Sequence, residues 1–98
     1  MNAPREPGRM LIVDDNRVNR LLLTHALEQN GHRVSTAENG KIALDRARAI
    51  QPALVVSDYE MPVMTGFELV HALRRDPELR QIPVIMLTAR DSKRDMAQ

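Results

Sequence analysis

Oxygen-bearing side chains stand at the ends of three short apolar runs in this chain. Met10-Leu11-Ile12-Val13 runs into Asp14-Asp15, Ala53-Leu54-Val55-Val56-Ser57 into Asp58, and Val84-Ile85-Met86-Leu87 into Thr88. If the runs are neighbouring parallel strands, the three polar ends meet at one edge of the sheet. Three carboxylates in a shallow cleft repel one another unless a cation or a shifted pKa relieves them. Hard oxygen ligands without His or Cys nearby select Mg²⁺ or a similar ion. Mg²⁺ takes one or two carboxylates and keeps several waters, which leaves room for phosphate oxygens. A carboxylate beside that ion is a nucleophile toward phosphorus and yields an acyl phosphate. The ion and a hydroxyl such as Thr88 would stabilise charge on the transferring group.

The elements that must position these groups are legible in the pattern. The run from Met10 to Val13 is unbroken, as in strands buried on both faces of a parallel sheet. Asn16 offers an N-cap, Val18, Leu21, Leu22, Ala26 and Leu27 recur at helical spacing, and Gly31 supplies a stop. Residues 33–37 are short and mixed, which fits an edge strand. Asn39-Gly40 marks a turn, and Ile42, Ala43, Leu44 and Ala47 give a second helical face that ends near Pro52. The next strand covers 53–57. Thr65 and Glu68 have capping-box spacing, so a third helix starts there with Phe67, Val70 and Leu73 inward, and Pro77 stops it. The fourth strand is 84–87. Strands alternating with helices at this spacing mean βαβ units and a parallel sheet covered by helices on both faces.

Bulk properties exclude several functions. A chain of 98 residues is one domain at most. A formal net charge of +1 gives no field to draw nucleic acid or an anionic membrane, so neither is expected as a partner. Cysteine is absent, which removes disulfides and thiolate metal sites. Tyr59 and Phe67 are the only aromatics, too few for a base-stacking platform. No apolar stretch approaches the roughly 20 residues of a membrane span. Residues 1–8 are polar and read as a flexible leader, and a cytoplasmic protein is the default. His25, His32 and His71 lack metal-ligand spacing, and Arg74-Arg75 and Lys93-Arg94 read as solvated helix faces.

With these residues on the page, the chain resembles the receiver domain of two-component response regulators. The match is carried by Leu11-Ile12-Val13-Asp14-Asp15-Asn16, by residues 58–66 (Asp58-Tyr59-Glu60-Met61-Pro62-Val63-Met64-Thr65-Gly66), and by residues 83–89, which end in Thr88-Ala89. It runs from about residue 9 to the C-terminus. The resemblance implies an α/β, flavodoxin-like, doubly wound parallel sheet in three αβα layers, with strand order 2-1-3-4-5. It implies Asp58 as phosphoacceptor, and Asp14, Asp15, Asp58 and the backbone carbonyl of Glu60 as the site of Mg²⁺, or of Mn²⁺ in its place. Thr88 matches the hydroxyl that contacts the phosphoryl group and shifts on activation, and Ala89 a small residue that leaves space for it. Gly66 permits a loop conformation that a side chain would oppose. The implied partners are a sensor histidine kinase or phosphotransfer protein, and a downstream effector domain or protein. The implied role is a self-modifying signalling switch rather than a turnover enzyme.

One departure stands out. The resemblance calls for a lysine and an aromatic switch residue on a fifth strand, and residues 9–98 read as a receiver lacking its last strand and helix. Lys41 and Lys93 are misplaced for that lysine, so no catalytic lysine is assigned. A bare fourth-strand edge predicts self-association or strand exchange. Without the lysine, the alternative is a phosphorylation-independent pseudo-receiver that serves as a protein-interaction module. A Mg²⁺-dependent phosphatase is the weakest reading, because no separate general acid or substrate pocket is identifiable.

Overall fold

A computed structural model of the chain describes residues 8–87. Their elements alternate as β1 (Arg9–Val13), α1 (Arg17–Gln29), β2 (Arg33–Ala37), α2 (Gly40–Ile50), β3 (Leu54–Asp58), α3 (Gly66–Arg75) and β4 (Val84–Leu87). The strands form one parallel sheet in the order β2-β1-β3-β4. This is the expected α/β architecture, with β1 and β3 central and β2 and β4 at the edges. The leader expected over residues 1–8 lies outside the described residues except for Gly8, whose carbonyl accepts from the Arg33 N–H at 3.3 Å. The fifth strand and last helix of the resemblance are not among the described elements.

Each helix start has a local cause. The Asn16 side chain accepts from the Asn19 N–H at 3.0 Å and caps α1. Asn39 accepts from Ile42 N–H at 2.9 Å and caps α2, so the Asn39-Gly40 pair opens a helix rather than making a free turn. Thr65 and Glu68 form both bonds of the expected capping box, at 2.9 and 3.1 Å. Gly31, at φ +89°, takes the left-handed conformation that ends α1.

The main core lies between the sheet and α2 and α3. Leu11, Val13 and Val55 meet Ala43, Ala47, Leu69 and Leu73 there. Leu79 and Ile82, from the segment before β4, are fully buried in the same cluster. Each such leucine or isoleucine contributes about 1.5–3 kcal/mol by leaving water. The inward face of α3 is Gly66, Leu69 and Leu73, which corrects the expectation for Phe67. Phe67 is 67% exposed and packs at a tilt against Tyr59, with ring centroids 5.8 Å apart. A helix buries only the stripe that faces its sheet, and the spacing 66, 69, 73 wins that stripe. Arg74 is likewise not merely solvated. Its guanidinium donates to the carbonyls of Arg80 and Ile82 at 3.0 and 2.9 Å and ties α3 to the approach to β4.

The other face of the sheet buries Ile12 and Val56 at its centre, but the helix over it is largely exposed. No residue of α1 is buried, and Val18, Leu21 and Leu22 are each more than half exposed. The half-buried residues of α1 are Arg20, Leu23, Thr24 and Leu27, so the helix meets the sheet through that stripe instead. Ile85 on β4 is 49% exposed.

Candidate metal and phosphoacceptor site

Strand register brings the acidic residues together. β1 and β3 pair as Val13↔Ser57, so the next residues outward are Asp14 and Asp58. Parallel strands place both at the same carboxyl-terminal edge, beside the point where the order reverses between β1's two neighbours. Asp15 follows at the entry to α1. One carboxylate oxygen from each of Asp14, Asp15 and Asp58 lies within 4.8 Å of the other two. The carboxylates expected at the ends of the first and third strands thus come together, while the third polar end, Thr88, lies outside the described residues.

The three carboxylates differ in setting. Asp14 is only 3% exposed, Asp58 is half-buried and Asp15 is exposed. The Asp14 N–H donates to the Ala37 carbonyl at 3.1 Å and extends the β1–β2 ladder by one step. Its Oδ1 accepts from the Asn16 N–H at 2.8 Å, a turn closed by the side chain two residues back. The Arg20 guanidinium donates to the Asp14 carbonyl at 2.8 Å. The aspartate is therefore fixed from three sides. Sequence reasoning found the Asn16 cap but missed Arg20, whose position on α1 carries no motif signal. Beneath Asp58, Ser57 is fully buried, and its hydroxyl donates to the Asp58 carbonyl at 2.9 Å.

The donor set is chemically uniform. It consists of carboxylate oxygens alone, which suits a hard cation such as Mg²⁺ and not a soft one. No histidine belongs to the cluster. Glu60 is half-buried on the loop after β3, and its carboxylate is not part of the cluster. Thr88 and Ala89 lie outside the described residues.

That loop carries two features of its own. Gly66 does not occupy a left-handed conformation, so the reason expected for it is replaced by another. A Cβ there would collide with the Asp58 carbonyl oxygen and reach within 2.6 Å of the Met86 sulfur. Close approach of α3 to the end of β3 is what demands glycine. Val63, by contrast, holds φ +73° and is 75% exposed. A β-branched residue is strained there. Val63→Gly is expected to stabilise the protein by about 1 kcal/mol, since the relief outweighs the added freedom of the unfolded chain. Urea denaturation would measure it, and no gain would mean that the loop relaxes without cost.

Comparisons with known proteins bear on the family and the fold. The family model for the response regulator receiver domain matches residues 10–98. Protein PilH of Pseudomonas aeruginosa is 41% identical over 88 residues, spanning 90% of this chain and 73% of PilH. Response regulator PleD of Caulobacter vibrioides is 40% identical over 91 residues, spanning 93% of this chain but only 20% of PleD. Among solved structures, the N-terminal domain of a response regulator receiver protein from Methanoculleus marisnigri superposes with a TM-score of 0.82 at 37% identity, covering 86% of this chain and 68% of that one. Fold, strand order and sequence thus converge, and the chain belongs to the response regulator receiver domain family.

Proposed function

We propose that this chain is the phosphoacceptor domain of a two-component phosphorelay, with Asp58 as the residue modified. The observation that carries the reading is the meeting of three carboxylates, from two strand ends and a helix entry, within 4.8 Å of one another. A phosphohistidine on a sensor kinase or phosphotransfer protein is the donor. A carboxylate oxygen of Asp58 attacks phosphorus. The new P–O bond forms as the P–N bond breaks, and the imidazole departs with the electron pair. Asp14, Asp15 and Asp58, with the Glu60 carbonyl, would hold Mg²⁺ or Mn²⁺, which supplies neutralising charge for the incoming phosphoryl oxygens. The rigid mounting of Asp14 holds the acidic site in place before any ligand arrives.

Thr88 and Ala89 are assigned to contact and accommodate the phosphoryl group. The added dianionic charge draws Thr88 inward and remodels the segment after β4, which an effector domain or partner reads. The domain modifies itself and turns over no metabolite. A relay partner of this kind places it in the cytoplasm. No described helix is long and apolar enough to cross a membrane.

The test is direct. The protein is incubated with Mg²⁺ and acetyl phosphate and examined by intact mass. One added phosphoryl group, lost when EDTA replaces Mg²⁺, is the expected result. A folded protein that takes up none under these conditions is instead a pseudo-receiver interaction module.

A further inference from the structure

The outer edge of β2 lies away from the acidic site and has a chemistry of its own. In the parallel ladder, the Arg33 N–H donates to the Gly8 carbonyl and the Ala37 carbonyl accepts from Asp14. Peptide groups alternate in direction along a strand. The N–H and C=O groups of Val34 and Thr36 therefore point outward, and no described strand pairs with them. Beside them runs a groove of about 500 Å³ that wraps the edge from α1 to α2. Arg17 and Arg20 line it from α1, and Arg46 lines it from α2. Arg17 and Arg46 have no carboxylate partner among the described residues, while Arg20 is spent on a backbone carbonyl. The Thr24 hydroxyl in the groove wall is buried without a hydrogen-bond partner.

We infer that this edge docks an acidic segment in extended conformation, added to the sheet as a strand beside β2. Backbone bonds to Val34 and Thr36 would supply affinity. Side chains of an added strand alternate between its faces, so two adjacent acidic residues reach Arg17 on one side of the sheet and Arg46 on the other. Charge selects the occupant. A second copy of β2 would bring the same arginines against one another, and like charges across an edge oppose such pairing. A net charge of only +1 for the chain makes this concentration of arginine local rather than general. The inference does not depend on phosphorylation of Asp58.

The probe is an acetylated, amidated pentapeptide of sequence valine–glutamate–glutamate–valine–threonine, titrated into the ¹⁵N-labelled chain. Shifts and slowed hydrogen exchange at the Val34 and Thr36 amides are expected, saturating at millimolar peptide or below. The double variant Arg17→Glu/Arg46→Glu should bind at least tenfold more weakly while its uptake of phosphoryl from acetyl phosphate stays unchanged. The same peptide with lysine for glutamate should not bind. Inorganic phosphate should not reproduce the amide shifts. If it does, the groove is a simple anion site and strand addition is wrong. Absence of shifts at Val34 and Thr36, or equal binding of the lysine peptide, also overturns the proposal.

Discussion

Asp58→Asn is expected to take up no phosphoryl group from acetyl phosphate, while its metal-free form is at least as stable as the parent. Both halves follow from one arrangement. Asparagine keeps the shape of the side chain at the end of β3 but lacks the nucleophilic oxygen, so incorporation seen by intact mass should fall to background. The same change removes one negative charge from a cluster whose members lie within 4.8 Å. At an effective dielectric near 20, two unit charges at that distance repel by about 3 kcal/mol. Solvent around the exposed Asp15 screens part of this, so a gain of about 1 kcal/mol in metal-free stability is expected. Mg²⁺ separates the two effects further. An ion present at a hundred times its Kd stabilises the parent by about 2.7 kcal/mol, and a variant that has lost a ligand gains less. Asp14→Asn is the companion variant. It can still accept from the Asn16 N–H and retains Asp58, so it should lose Mg²⁺ stabilisation and slow uptake without losing the acceptor. Thermal unfolding with and without Mg²⁺ reads these shifts. A metal-free Asp58→Asn protein clearly less stable than the parent would show that the carboxylates support the fold rather than burden it. The trade of stability for a charged site is familiar wherever function crowds like charges.

What the sequence made legible divides along physical lines. Strands and caps were readable because their signals are local. An apolar run bounded by polar residues specifies β1, β3 and β4 to within a residue, and a hydroxyl three positions before a glutamate specifies the start of α3. The acidic site was readable because parallel strands share one polarity. Residues at their carboxyl ends meet whatever the details of packing, as Asp14 and Asp58 do. Which side of a helix is buried was less legible. Val18, Leu21, Leu22 and Ala26 repeat at helical spacing yet stand exposed, and of that set Leu27 alone joins Leu23, which the pattern omitted, in the stripe that meets the sheet. Periodicity identifies a helix, but the neighbour it packs on decides which stripe is covered. Leu79 and Ile82 were invisible for a related reason. They lie in a segment without a regular period and are buried because Arg74 draws that segment against α3. Long-range contacts of this kind, like that of Arg20 with Asp14, have no fixed spacing to read.

Gly66→Ala offers the sharpest structural test, because there the fold and the site share one contact. The added methyl carbon would overlap the Asp58 carbonyl oxygen, stand 2.6 Å from the Met86 sulfur and 3.1 Å from the Tyr59 Cα. The sulfur is the end of a flexible side chain and can move. The backbone atoms cannot move freely. The Gly66 N–H donates to the Tyr59 carbonyl at 2.8 Å, and the Tyr59 N–H donates to Leu87 at 3.2 Å, which locks the junction of β3, β4 and α3. Alanine favours helices over glycine by no more than about 1 kcal/mol, which the clash outweighs. A net loss of about 3 kcal/mol is expected, at the upper end for overpacking because the obstacle is backbone. Urea denaturation would measure the loss. The double variant Gly66→Ala/Met86→Ala distinguishes the causes, since shortening Met86 clears the sulfur but not the carbonyl. If Gly66→Ala costs nothing when made in the Met86→Ala background, the sulfur was the obstacle and the backbone argument fails. If it still costs stability there, β3 must shift at Asp58 to admit the methyl group. Phosphoryl uptake should then slow in whatever folded protein remains, since a displacement of about 1 Å in a reacting group can cost a hundredfold in rate.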